Sequence, residues 1–156
     1  MLKLLSQKNI KENWEKYKPY IEKAFTSSEG SNLITSTESI DIYKLIYGRL
    51  MNPFNKDTHL WSEDKEIYLL LTEIQECEFT GRKTIILSSS TRMKDVDEET
   101  RSKWYYDSYM VISKFAREHK CVGMYCYSEL DYFVEMAKKT KKWSNVITRY
   151  QFYFPL

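Results

Sequence analysis

Thiols and imidazoles are sparse in this chain, which narrows its possible nucleophilic and metal chemistry. The thiols are Cys77, Cys121 and Cys126; the imidazoles are His59 and His119. No spacing among them matches a metal-ligand pattern, and no metal site is expected. Cys126 carries the atom of a thiol nucleophile, but no histidine is near it in sequence, and a thiol in an apolar run is more often structural. His59 sits in a strand-like stretch, where a packed role is commoner than a ligand role. Nothing resembles a nucleophile triad, a phosphate loop or a paired-histidine metal motif. The odd cysteine number, with two in one apolar run, reads as reduced, half-buried thiols.

These side chains are carried by elements whose periodicity is legible. Residues 7–25 read as helix, with Ile10, Trp14, Tyr17, Ile21, Ala24 and Phe25 on one face. Pro19 inside it predicts a kink or a break into two helices. A loop at residues 26–32 leads to a short strand at Leu33–Thr35. Ser36 or Thr37 then caps a second helix with the buried stripe Ile42, Leu45, Ile46 and Leu50. Asn52-Pro53-Phe54-Asn55 stops it. Strands over 58–62, 66–77 and 82–90 form an antiparallel meander, its second turn at Thr80–Lys83. Ser88-Ser89-Ser90-Thr91 opens into a polar loop.

A third helix begins near Asp97. Asp97, Glu98 and Glu99 load its start, and Arg117, His119 and Lys120 its end, as the helix dipole prefers. Trp104, Tyr105, Ser108, Val111, Ile112, Phe115 and Ala116 make its apolar stripe. Cys121–Tyr127 is the next strand, reached by a crossover long enough for a right-handed parallel connection. A fourth helix capped by Ser128 follows, and residues 145–154 alternate as a long terminal strand. The expected fold is α+β: a mixed sheet made of an antiparallel meander, then helix–strand–helix–strand, preceded by N-terminal helices.

Composition bounds the rest. The 156 residues, 42% hydrophobic, suit one domain over 1–156 with residues 1–35 as a helical extension packed on it. The net charge of +2 favours neither a sequence-specific nucleic-acid partner nor an acidic substrate. Lys138, Lys139, Lys141 and Lys142 read as a solvated helix end rather than a phosphate patch. Met1–Leu5 is too short for a signal peptide, and no stretch is long enough to span a membrane. Aromatics reach 15%, with 13 Tyr and 4 Trp, which fits an aromatic core or, alternatively, a contact surface.

Three pieces carry a family resemblance over residues 36–156. Gly48 followed by Leu60-Trp61 is one. Thr72-Glu73-Ile74 with Gly81-Arg82-Lys83-Thr84-Ile85-Ile86-Leu87 is the second. Phe115-Ala116-Arg117-Glu118-His119-Lys120-Cys121 is the third, and Thr148–Tyr153 falls where a last strand belongs. In this order they resemble the GNAT fold of acetyl-CoA-dependent N-acetyltransferases, and more closely the small GNAT-like proteins of tailed bacteriophages.

In that family a glycine-rich turn before the crossover helix holds the cofactor pyrophosphate on backbone amides and the helix N-terminus. The corresponding stretch here, Ser88 to Glu99, has no glycine. Asp95, Asp97, Glu98 and Glu99 oppose an anion there. Ser89, Ser90, Thr91 and Arg92 are the candidate cofactor-binding residues, with Lys94 also positive. Acetyl transfer further implies a base and an acid; Glu73 and Tyr132 are the candidates, although Glu73 also reads as a solvated or paired strand carboxylate. The resemblance therefore implies a catalytically degenerate scaffold that needs no cofactor. It would be a virion component near the portal and tail, a homo-oligomeric ring with other virion proteins as partners, located in the virion and in the host cytoplasm during assembly. The alternative is an active N-acetyltransferase using acetyl-CoA on a host or phage amine. A host-interaction protein, such as an inhibitor, is a third reading.

Overall fold

The computed structural model describes residues 1–26 and 41–126. Among the described residues five strands form one sheet: β1 (Leu2–Leu4), β2 (Thr58–Glu63), β3 (Tyr68–Glu76), β4 (Lys83–Arg92) and β5 (Cys121–Cys126). The helices are α1 (Gln7–Glu12), α2 (Trp14–Thr26), α3 (Ile42–Met51) and α4 (Glu98–Glu118). The strands lie in chain order, antiparallel from β1 to β4 and parallel between β4 and β5. This is the expected α+β architecture with its mixed sheet. The expected strand at Leu33–Thr35, the cap at Ser36 or Thr37, the helix after Ser128 and the strand over 145–154 lie outside the described residues.

Strand alternation divides the apolar residues between two cores. Trp61, Tyr68, Leu70, Ile74 and Ile85 pack with Trp104, Ile112 and Ala116 of α4. Leu60, Leu69 and Leu71 pack with Ile10, Tyr17 and Ile21 of α1–α2 and Ile46 and Leu50 of α3. The sheet is thus buried on both faces, which explains why β3 reads as a near-continuous apolar run rather than an alternating one. Ile85 and Ile112 are fully buried, so the α4 interface is a dry contact at the centre of the parallel connection.

Several local expectations are corrected. The N-terminal helix breaks at Asn13, not at Pro19. The Asn13 amide closes α1 on the Asn9 carbonyl, and the Asn13 carbonyl opens α2 by accepting from Lys16 and Tyr17. Pro19 lies inside α2 on its exposed side, where water can reach the carbonyl that loses its amide partner. Leu45 is more than half exposed, off the side of α3 on which Ile46 and Leu50 are buried and Ile42 and Met51 pack partly buried. Leu2–Leu4 forms an edge strand against β2.

The strand expected over 82–90 runs on to Arg92, so Ser88–Thr91, also read as opening a polar loop, is strand. Ser89 lies opposite Leu71, Ser90 opposite Leu70, Thr91 opposite Leu69 and Arg92 opposite Tyr68. Strand pairing with β3 overrides the weak β-preference of serine. The preceding turn follows expectation. Gly81 takes a positive φ of 62° and its amide bonds to the Cys77 carbonyl at 2.8 Å.

Candidate functional site

The bulge in β4 decides where the candidate cofactor residues point. Leu87 opposes Thr72, and the next pair is Ser89 with Leu71, so Ser88 is an extra residue in the ladder. Side chains of opposed antiparallel residues share a face. Before the bulge, Ile85 and Leu87 face α4. After it, Ser89 and Thr91 share the face of Leu71 and Leu69, toward α1–α3, while Ser90 and Arg92 share the α4 face of Leu70 and Tyr68. The four candidates are therefore divided between two sides of the sheet. Thr91 is buried, and Arg92 is engaged with Asp95 at 3.1 Å.

The segment from β4 to α4 is held by its own chain. The Met93 and Lys94 amides both donate to the Ile67 carbonyl, at 2.7 and 3.3 Å, and Lys94 Nζ donates to the Lys65 carbonyl at 2.6 Å. Tyr20 of α2 reaches over with its hydroxyl to the Met93 carbonyl at 3.5 Å. Asp97 then caps α4. Its Oδ1 accepts from the Thr100 amide at 2.7 Å, and its Oδ2 accepts from the Thr100 hydroxyl at 3.1 Å. The Thr100 amide, followed by the Thr100 hydroxyl, holds the Asp97 carboxyl below its usual range.

An acyl donor bearing a pyrophosphate would need amides at this helix start and a positive or neutral surround. The residues present do not fit it. Asp97 already fills the first turn with a carboxylate, Glu98 and Glu99 add two more negative charges, and Asp95 offsets Arg92.

Glu73 is brought to the α3 side of the sheet, where Arg49 Nη1 meets its Oε1 at 2.7 Å. It is a paired carboxylate tying α3 to β3, a contact worth about 0–1 kcal/mol at this exposure. Tyr132 lies outside the described residues. Cys126 is at the end of β5, and burial pushes its thiol up to about 11, far from a ready thiolate. Burial also raises Cys121, partly offset by Lys83. Cys77 is a correction: it is exposed in the β3–β4 turn, not half-buried, and hydrogen bonds from the Thr80 hydroxyl and nearby amides lower its thiol.

Two polar clusters escape sequence reasoning. Glu63, buried at the end of β2, accepts from the amides of Ile67 and Tyr68 and from Trp104 Nε1. Beside it Tyr68 stacks on Trp104 with ring centroids 4.0 Å apart. The second cluster gathers His59 of β2, Phe115, and His119 at the α4 C-terminus. Their centroids are 4.8 Å (His59–Phe115) and 3.9 Å (Phe115–His119) apart. The only sequence signal for Glu63 was a charge at a turn, which does not distinguish a buried acceptor from a solvated one. Among the described residues, no group of three His, Cys, Asp or Glu side chains is placed to hold a metal ion. No described helix is long and apolar enough to cross a membrane. Of the charged residues lining a polar cavity near Asn9 and Tyr17, Lys3 pairs with Asp64 at 2.6 Å, Glu66 pairs with Lys16 outside the lining at 2.5 Å, and Glu63 is the buried acceptor described above.

No family model and no curated protein matches the chain. Solved structures do. A probable acetyltransferase aligns over 100% of this chain and 98% of its own, at 10% identity and a TM-score of 0.64. An aminoglycoside acetyltransferase from an uncultured soil metagenomic sample, in complex with sisomicin, aligns over 100% and 95%, at 12% identity and 0.64. A possible acetyltransferase from Clostridium difficile 630 aligns over 100% and 98%, at 13% identity and 0.61. At such identities the likeness concerns backbone architecture, and on that architecture the chain has the fold of the GNAT acetyltransferases.

Proposed function

We propose that this chain is an acetyltransferase that acylates an amine. The observation that carries the reading is the likeness to acetyltransferases over the chain's whole length and over nearly all of theirs. The bulged β4, the parallel β5 and the α4 crossover between them are consistent with it. Acetyl-CoA is the donor this reading names, held by contacts other than the start of α4, whose carboxylates do not fit its pyrophosphate, and an amine is the acceptor. One fold hosts many functions, so the reading is tested on the protein itself. A thermal-shift titration of the full chain with acetyl-CoA is expected to raise the melting temperature with concentration. A panel of amine acceptors, read by mass spectrometry, is expected to yield acetylated product. Absence of both a shift and a product overturns the reading.

A second reading keeps the scaffold without the chemistry. The carboxylate cap at Asp97 and the Arg92–Asp95 pair favour it, since both fill an anion-binding turn from within. In that reading the chain is a component of a phage particle, assembled as a ring beside portal and tail proteins. Mass spectrometry of purified particles tests it: a fixed symmetric copy number supports it, and absence from the particle removes it.

A further inference from the structure

The start of α4 follows a β-strand and offers first-turn amides, the physical makings of an anion site. In this chain an anion is already there. The Asp97 carboxylate takes the Thr100 amide at 2.7 Å and the Thr100 hydroxyl at 3.1 Å. Nearby cations are engaged as well. Arg92 is held by Asp95, and Lys94 reaches away to the Lys65 carbonyl. The Met93 and Lys94 amides of the same segment both donate to the Ile67 carbonyl.

We infer that Asp97 closes the N-terminal end of α4 to phosphate-bearing ligands, making it an internally filled anion site in this chain. The inference rests on the acetyltransferase reading, because that reading is what would bring a pyrophosphate here. It departs from it in locating a block at one side chain. Two effects act together. The carboxylate occupies amides that a phosphate oxygen would use, and its charge repels an incoming anion across a few ångströms.

The two effects separate by substitution. Asp97→Gly removes both carboxylate and charge and costs α4 only a few tenths of a kcal/mol, since glycine is tolerated at an N-cap. Asp97→Asn keeps a capping oxygen on the Thr100 amide and removes only the charge. The full chain and both variants are titrated calorimetrically with inorganic pyrophosphate and, separately, with CoA. Circular dichroism confirms that each variant is folded.

Asp97→Gly is expected to bind pyrophosphate at least about tenfold more tightly than the parent, with Asp97→Asn in between. Equal affinity in all three forms overturns the inference, as does failure of every form to bind pyrophosphate. The CoA arm reads the underlying function separately. A gain in pyrophosphate binding while no form binds CoA keeps the block at Asp97 and counts against the acetyltransferase reading. Equal pyrophosphate affinity in all three forms together with tight CoA binding does the reverse, removing the block at Asp97 and keeping the acetyltransferase reading.

Discussion

Trp104 Nε1 of α4 donates to Glu63 Oε2 of β2 at 3.1 Å, joining residues 41 positions apart inside the protein. The other carboxylate oxygen of Glu63 accepts from the Tyr68 amide at 2.9 Å and from the Ile67 amide. One buried side chain thereby satisfies two donors of the β2–β3 turn and one of the crossover helix. The bond fixes the α4 indole against Tyr68, and through it the position of α4's first half over the sheet.

Glu63→Ala leaves three buried donors without this acceptor. It is expected to lower stability by about 3 kcal/mol, the order of one or more unsatisfied buried groups. Glu63→Gln retains an acceptor oxygen and is expected to lose roughly half as much. Urea unfolding followed by circular dichroism measures both; a midpoint for Glu63→Ala that coincides with the parent's would show that the network contributes nothing.

His59 sets a pH dependence. Burial first, and the charge of neighbouring His119 second, lower its pKa below the ordinary 6.5, against smaller raising contributions from Asp57 and the Lys56 carbonyl. A base with a lowered folded pKa binds fewer protons folded than unfolded, so stability rises with pH across the window. The contribution is present in full above the ordinary value and is lost as pH falls toward and through the lowered one. Stability measured across that range should drop on the acid side in the parent and drop less in His59→Phe. A parallel pH profile in the two proteins would remove His59 as the cause.

The three thiols should separate by rate. Cys77 is exposed with a lowered pKa, Cys121 is partly covered with a raised one, and Cys126 is pushed up to about 11. Alkylation of the folded protein with mapping by mass spectrometry is expected to label Cys77 first and Cys126 last. Cys77→Ser should abolish the fast phase. Early labelling of Cys126 would contradict its burial.

How much was legible depended on the range of the interaction. The α4 boundaries followed from the acidic start at Asp97–Glu99, the basic end and a stripe at helical spacing, all local signals; Trp104, Ser108, Ile112 and Ala116 of that stripe are buried, and Tyr105, Val111 and Phe115 pack partly buried beside them. The meander followed from β-branched and apolar runs separated by turn residues, with Gly81 in the conformation its turn needs. Pro19 misled because its cost depends on which side of the helix it lies. Leu45 misled because the stripe it belongs to is wider than the surface that covers α3.

The candidate site shows the same division. The absence of glycine and the acidic run between Ser88 and Glu99 are properties of composition, and they were readable from residue types alone. Which side of the sheet Ser89 and Ser90 each face was not, because that follows from strand register, and one extra residue at Ser88 changes it. The sequence alone determined α3, the β2–β4 meander, α4 and β5 in their order and the charge of the turn, since each depends on neighbours within a few positions; β1 and the strand character of Ser88–Thr91 came only with pairing to β2 and β3. Only the tertiary structure decided the bulge, the Glu63–Trp104 bond and the pairing of Glu73 with Arg49, since each depends on residues far apart in the chain meeting across the sheet.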